Sequence, residues 1–242
     1  MYNSIFLKTI DNVNIAVNWF NNGFDEVVII APGWCMTKDS KSFMAISKSF
    51  CTNFDVISFD FRGHGKSSGL YTFTSKEIKD LNCIVKFAKA KKYKKIYLIG
   101  FSLGAAVSII YTARNNNAID KLIAVSAPSE FSKIENQMWR KSAWAETFKK
   151  FELSRFLSIR PRIFPLRKQS PIDLVSKITT PTFFIAGKKD PTVHYWHTEL
   201  LFNKAVCDKS FKLYDDGYHA EDLFLYFEDD FVNRCVEWLK KV

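Results

Sequence analysis

Lys95-Ile96-Tyr97-Leu98-Ile99-Gly100-Phe101-Ser102-Leu103-Gly104-Ala105-Ala106-Val107 is the stretch on which the reading of this chain turns. Ile96–Ile99 is a short, unbroken apolar run, the mark of a strand buried on both faces of a parallel sheet. An alanine-rich run follows, predicting a helix over 103–115, and the two are separated only by Gly100-Phe101-Ser102-Leu103-Gly104. A serine in that setting sits on a sharp strand-to-helix turn, where side chains at the flanking positions would crowd the backbone and glycine is required. The turn lifts the serine hydroxyl above the sheet and aims the positive end of the following helix at the same point.

The pattern of buried strand and helix repeats in both directions from this turn. Glu26–Ile30, Val56–Phe59, Leu122–Val125 and Thr182–Ala186 read as further buried strands, and Ser210–Tyr214 as a weaker one. Ile5–Lys8 and Val13–Trp19 read as strands about a turn at Asp11-Asn12, the second with an alternating pattern. Helices are expected over 39–51, 75–92, 103–115, 170–177, 192–204 and 221–240. Such alternation predicts an α/β fold with a mostly parallel sheet and helices on both faces. The chain has 242 residues, 47% of them hydrophobic and 25% charged, enough apolar mass for a sizeable core. That balance excludes a disordered tail, a collagen-like fibre and a disulfide-stapled miniprotein. Five cysteines (35, 51, 83, 207 and 235) lie at wide spacing with no CxxC pair, as expected of reduced thiols in a cytoplasmic protein. No apolar run reaches the roughly 18 residues of a membrane span, so no transmembrane segment is expected.

A serine nucleophile needs a base, and the chain offers four histidines. His219 falls after the last predicted strand and before the last helix, at the end of the sheet where catalysis gathers in open α/β folds. His194 and His197, at i and i+3, read as helix surface or packing, since no third metal ligand accompanies them. Asp190 follows directly on the strand 182–186 and suits the third role, orienting the imidazole; it also suits capping of the helix beyond Pro191. Glu130, Asp215 and Asp216 are rival acids. Ser102, Asp190, His219 is the chain order Ser…Asp…His of α/β-hydrolases.

Three further segments strengthen that likeness. Asp60-Phe61-Arg62-Gly63-His64-Gly65-Lys66-Ser67 resembles the D-x-RGHGxS segment of the serine aminopeptidase/monoacylglycerol-lipase-like group of α/β-hydrolase fold serine hydrolases. Gly187-x-x-Asp190-x-x-Val193 and Gly217-x-His219 resemble its acid and base segments. The resemblance covers nearly all of the chain apart from residues 129–170. It implies that His64 is a structural element of its loop. It also implies an oxyanion hole made by the backbone N–H groups of Trp34 and Leu103. In that loop Ala31-Pro32-Gly33-Trp34-Cys35 carries proline where the group usually has histidine, a change that backbone donors tolerate. Gly65-Lys66-Ser67 imitates the end of a phosphate-binding loop, but Asp60 stands where the first glycine belongs, so nucleotide binding is rejected.

Residues 129–170 break the alternation and occupy the place where the group carries its cap, between the sixth and seventh strands. The expected division is therefore a hydrolase core of 1–128 and 171–242 with a small helical cap or lid at 129–170. This stretch interleaves seven Phe and Trp with ten Lys and Arg, and it holds most of the net charge of +10. Either this is a basic lid over an acyl pocket, which predicts a small-molecule acyl substrate of anionic or lipid-like character, or it is a surface subdomain whose aromatics form a small core of its own. No nucleic-acid motif accompanies the charge, so no nucleic-acid partner is expected. The predicted activity is hydrolysis of a carboxylic ester or thioester through an acyl-enzyme, with no metal or organic cofactor. Aminopeptidase, amidase or acyltransferase action on the same triad, and a non-catalytic binding protein of the same fold, are the alternatives.

Overall fold

The structure, a computed structural model, describes residues 2–135, 159–162 and 169–241. Eight strands form one sheet: β1 (Asn3–Lys8), β2 (Asn14–Phe20), β3 (Glu26–Ala31), β4 (Asp55–Phe59), β5 (Lys95–Phe101), β6 (Lys121–Val125), β7 (Thr182–Gly187) and β8 (Lys209–Tyr214), in the order β1-β2-β4-β3-β5-β6-β7-β8. The first two strands form an antiparallel hairpin, β2 meets β4 antiparallel, and every pair from β4 onward is parallel. The helices among the described residues are α1 (Lys41–Phe50), α2 (Glu77–Ala90), α3 (Leu103–Arg114), α4 (Tyr195–Lys204), α5 (Glu221–Tyr226) and α6 (Glu228–Lys240).

The unbroken apolar runs have a direct physical cause. Successive side chains of a strand point to opposite faces, and here both faces are covered. Val27 and Ile29 of β3 therefore enter the core shared with Leu81, Ile84, Ala105 and Ile109 of α2 and α3. Val28 and Ile30 enter a second core with Phe43 and Phe50 of α1 and Phe231 and Trp238 of α6. All four are wholly buried. The sequence-predicted strands and the mostly parallel α/β sheet are all present.

Three helical expectations change in detail. Residues 170–177 form two short 3-10 turns, Pro171–Asp173 and Val175–Lys177. The helix expected from 192 starts at Tyr195, because Asp190 draws the amides of Thr192 and Val193 into a turn of its own. The helix expected over 221–240 is split at Phe227, whose backbone (φ −133°, ψ 38°) leaves the helical region while its ring stacks on Tyr214 at 5.0 Å.

The predicted cap lies mostly outside the described residues, and its anchors are visible. Ser129 accepts a hydrogen bond from the Ile172 amide, which joins the two ends of the insertion. Arg160 donates its amide to Gly63 and accepts from Tyr71, and Arg162 donates to Tyr71 in turn. No helix among the described residues is long and apolar enough to cross a membrane.

Candidate active site

The strand order reverses between β3 and β5. The chain runs from β3 outward to β4, then crosses back to β5 on the other side. Ligands of open α/β sheets bind at the carboxyl ends of strands beside such a switch point. Here those two ends carry the loop 31–35 and the turn 100–104.

Ser102 occupies that turn with φ 50° and ψ −110°, a left-handed conformation that costs a non-glycine residue energy. The turn persists because its surroundings leave no alternative. A Cβ on Gly100 would lie 2.6 Å from the Gly104 carbonyl oxygen and 2.7 Å from Ala105, so β5 and α3 pack in direct backbone contact. A Cβ on Gly104 would come within 2.2 Å of the Ala31 carbonyl oxygen and 2.6 Å of that of Pro32, which seats the β3 loop against the turn. The Ser102 amide is held by the Val125 carbonyl at 2.8 Å.

His219 and Asp190 reach the serine from separate loops. Nε2 of His219 stands 2.9 Å from the Ser102 hydroxyl, and Nδ1 stands 2.6 Å from Oδ2 of Asp190. The other carboxylate oxygen of Asp190 accepts the amides of Thr192 and Val193 at 2.8 and 2.9 Å, which fixes its plane. Asp190 is buried, whereas 16% of the His219 side chain faces solvent. A hydroxyl, an imidazole and a buried carboxylate in series can pass a proton from oxygen to nitrogen while the carboxylate steadies the imidazolium. The rival acids are engaged elsewhere: Glu130 pairs with Lys133, Asp215 with Lys188 and Asp216 with Lys189.

Trp34 is half-buried in the turn after β3, closed by the Met36 amide on Gly33, and Leu103 opens α3. A Cβ on Gly33 would stand 3.5 Å from that of Ser102, so the two loops flank the hydroxyl. The leading amides of a helix have no partner within it, and they are suited to a developing negative charge.

The RGHG loop does structural work. Asp60 accepts the amides of Lys38 and Lys66 at 2.7 and 2.9 Å, and burial pushes its carboxyl up to about 6 against those bonds. Arg62 forks onto buried Asp80 and reaches Asp11. His64 is buried against Tyr71, its Nδ1 faces the Arg62 carbonyl at 3.2 Å, and burial holds its imidazole down at about 4.

A second histidine cluster escaped the sequence reading. Of the two roles expected for His197, surface or packing, the structure shows packing: it is wholly buried, and its Nδ1 meets both the hydroxyl (2.7 Å) and the amide (3.2 Å) of Ser129. Glu135 accepts the Trp196 indole at 2.8 Å and the His194 amide at 3.2 Å. Burial works to raise its carboxyl, but these bonds prevail and hold it low. No pattern in the sequence joins residues 129 and 135 to 197. Ser126 is equally silent as sequence, yet its hydroxyl accepts the Ala220 amide beside His219 at 3.0 Å. Among the described residues no cluster of His, Cys, Asp and Glu is arranged to hold a metal ion.

Known proteins agree with this architecture. The model of the alpha/beta hydrolase fold family matches residues 26–149. Serine hydrolase BPHL of Homo sapiens is 24% identical over 263 residues, covering 97% of this chain and 88% of BPHL. The Uncharacterized protein YqkD of Bacillus subtilis is 27% identical over 172 residues; that match takes in 69% of this chain and 56% of YqkD. Esterase Pf2001 of Pyrococcus furiosus is 27% identical and superposes with a TM-score of 0.80 over all of this chain and 92% of its own. The chain belongs to the alpha/beta hydrolase fold family. Together with the serine hydrolase and the esterase among its relatives, that membership makes it a hydrolase of this fold.

Proposed function

We propose that the protein hydrolyses a carboxylic ester or thioester through an acyl-enzyme on Ser102, with His219 as base and acid and Asp190 as the group that orients it. The observation that carries this reading is the unbroken series from the Ser102 hydroxyl through His219 to buried Asp190, at 2.9 and 2.6 Å. The esterase activity named for Pf2001 supports an ester ahead of an amide or an acyl acceptor.

The reaction follows from the positions of the atoms. Ser102 Oγ attacks the substrate carbonyl carbon as its proton passes to His219 Nε2. The electron pair of the carbonyl moves onto oxygen, where the amides of Trp34 and Leu103 receive it; one such donor contributes about 3–4 kcal/mol to catalysis. Collapse of the intermediate breaks the bond to the leaving group, which takes the proton from Nε2. A water then gives its proton to the same nitrogen and attacks the acyl carbon. The acid departs and Ser102 regains its hydrogen.

The stretch 129–170 is basic and aromatic in sequence, and it is proposed as the cap of this site. Its charge favours anionic or lipid-like acyl substrates, each exposed Lys or Arg adding about 1 kcal/mol or less at an anionic surface. The test is turnover of p-nitrophenyl esters of graded chain length beside aminoacyl p-nitroanilides, with a fluorophosphonate probe to mark the nucleophile. Ester turnover with labelling confined to Ser102 is expected. Faster cleavage of the anilides would move the reading to an amidase, and labelling at another residue would end it.

A further inference from the structure

The end of β6 holds the three arms of the site together. Val125 accepts the Ser102 amide at 2.8 Å, and the next residue, Ser126, donates its own amide to Ile185 of β7 at 2.8 Å. That strand leads directly into the Asp190 turn. The Ser126 hydroxyl then accepts the amide of Ala220, the residue after His219, at 3.0 Å. Two neighbouring residues thus touch the nucleophile turn, the acid-bearing strand and the base-bearing loop.

Two of these contacts are made by backbone and survive any substitution except proline at 126. The third is made by a side chain, on the loop that has most need of it. Ala220 is wholly buried and takes φ 50° and ψ −107°, a left-handed conformation that alanine adopts only when its surroundings impose it. Its amide, sealed from water, is paired through the Ser126 hydroxyl. Ser126 is itself 1% exposed and left-handed at φ 48°. Serine is a poor choice for that backbone, where glycine is relaxed, so the hydroxyl is retained at a cost in local conformational energy.

Resting on the triad reading above, we infer that Ser126 is a positioning residue for His219: its hydroxyl sets the backbone that follows the imidazole and so keeps Nε2 in line with Ser102. A displacement of about 1 Å in such a group costs on the order of 10²-fold in rate.

Two variants test this. Ser126→Gly deletes the hydroxyl and relaxes the backbone, and Ser126→Ala deletes the hydroxyl alone. With p-nitrophenyl acetate, both are expected to lose about 10- to 100-fold in kcat with KM within about twofold, and Ser126→Gly to melt no lower than the parent protein. The decisive measurement is the double variant with His219→Ala. If Ser126 acts through His219, adding Ser126→Gly to His219→Ala costs less than about twofold more. Parental kcat in Ser126→Gly, or a full additional loss in the double variant, overturns the proposal. Parental turnover in His219→Ala alone overturns the triad reading instead, so the two failures are distinguishable.

Discussion

Two serine–histidine contacts among the described residues are of nearly equal length, and they are chemically opposite. Ser102 meets His219 at 2.9 Å, and Ser129 meets His197 at 2.7 Å. At the first, the serine stands on a left-handed turn at the mouth of a helix, Nε2 faces it, and Nδ1 is backed by a buried carboxylate at 2.6 Å. At the second, the serine turns both its hydroxyl and its amide onto Nδ1. A nitrogen that accepts an amide hydrogen carries no proton, so His197 is the neutral tautomer with its hydrogen on Nε2, near the Lys133 carbonyl at 3.2 Å. Burial holds that imidazole below its ordinary range while nearby Glu135 pulls the other way. The first pair is partly open to solvent and backed by a buried carboxylate. The second is sealed, and it ties the start of the insertion to α4. A short Ser–His distance is thus not a catalytic signature until the backbone conformation, the ring nitrogen and the third partner agree.

Substitutions at the two sites separate rate from stability. Ser102→Ala is expected to lower kcat for p-nitrophenyl esters by about 10⁴-fold or more at an unchanged melting temperature. Retained turnover would show that the accessible pair is as idle as the buried one. Asp190→Asn comes next, with a loss of about 10³-fold, because an amide supports the wrong imidazole tautomer. Glu135→Gln, the corresponding change at the second cluster, should leave kcat within about threefold; the reverse ranking of the two acids would dissolve the contrast.

The sealed histidines should show themselves in acid instead. His64 is fully buried, its imidazole held at about 4. In the unfolded chain histidine titrates near 6.5, so the unfolded state takes up a proton first. The stability from keeping His64 neutral is whole above about 6.5, falls as the pH drops toward 4, and amounts to a loss of about 2 kcal/mol by pH 5. His64→Phe keeps the ring against Tyr71 and should flatten the fall in melting temperature between pH 7 and pH 5. Parallel curves for the two proteins would assign the acid sensitivity to other groups. The smallest effect belongs to Ser129→Ala, which removes one of the two donors to His197: about 1 kcal/mol in urea unfolding, with ester turnover unchanged.

Much of this architecture was legible in the residues because its causes are local. A strand covered on both faces is apolar at most positions, so β3, β5, β6 and β7 stand out as short, nearly unbroken runs, while β4 carries the buried polar residues Asp55 and Ser58 among its apolar ones. Two glycines about a serine between strand and helix reflect backbone atoms too close to admit a Cβ. Asp190 and His219 could be named from their places after β7 and β8, and the fold brings them within hydrogen-bond reach of Ser102. What stayed hidden was set by contacts between distant segments. Phe227 leaves the helical region where its ring stacks on Tyr214, a residue of β8, and no helical periodicity reports that contact. His197 was assigned to surface or packing because nothing in the sequence shows that Ser129 and Glu135 close over it. Ser126 is one hydroxyl among many until the chain folds its amide onto β7 and its side chain under Ala220. Sequence alone determined which segments are strands, which turn sets a serine between strand and helix, and the order in which Ser102, Asp190 and His219 follow along the chain. Only the tertiary structure decided which histidine meets which serine, through which nitrogen and with what access to water. Those properties depend on the relative placement of loops held by hydrogen bonds between residues some 70 to 120 positions apart, which no local pattern encodes.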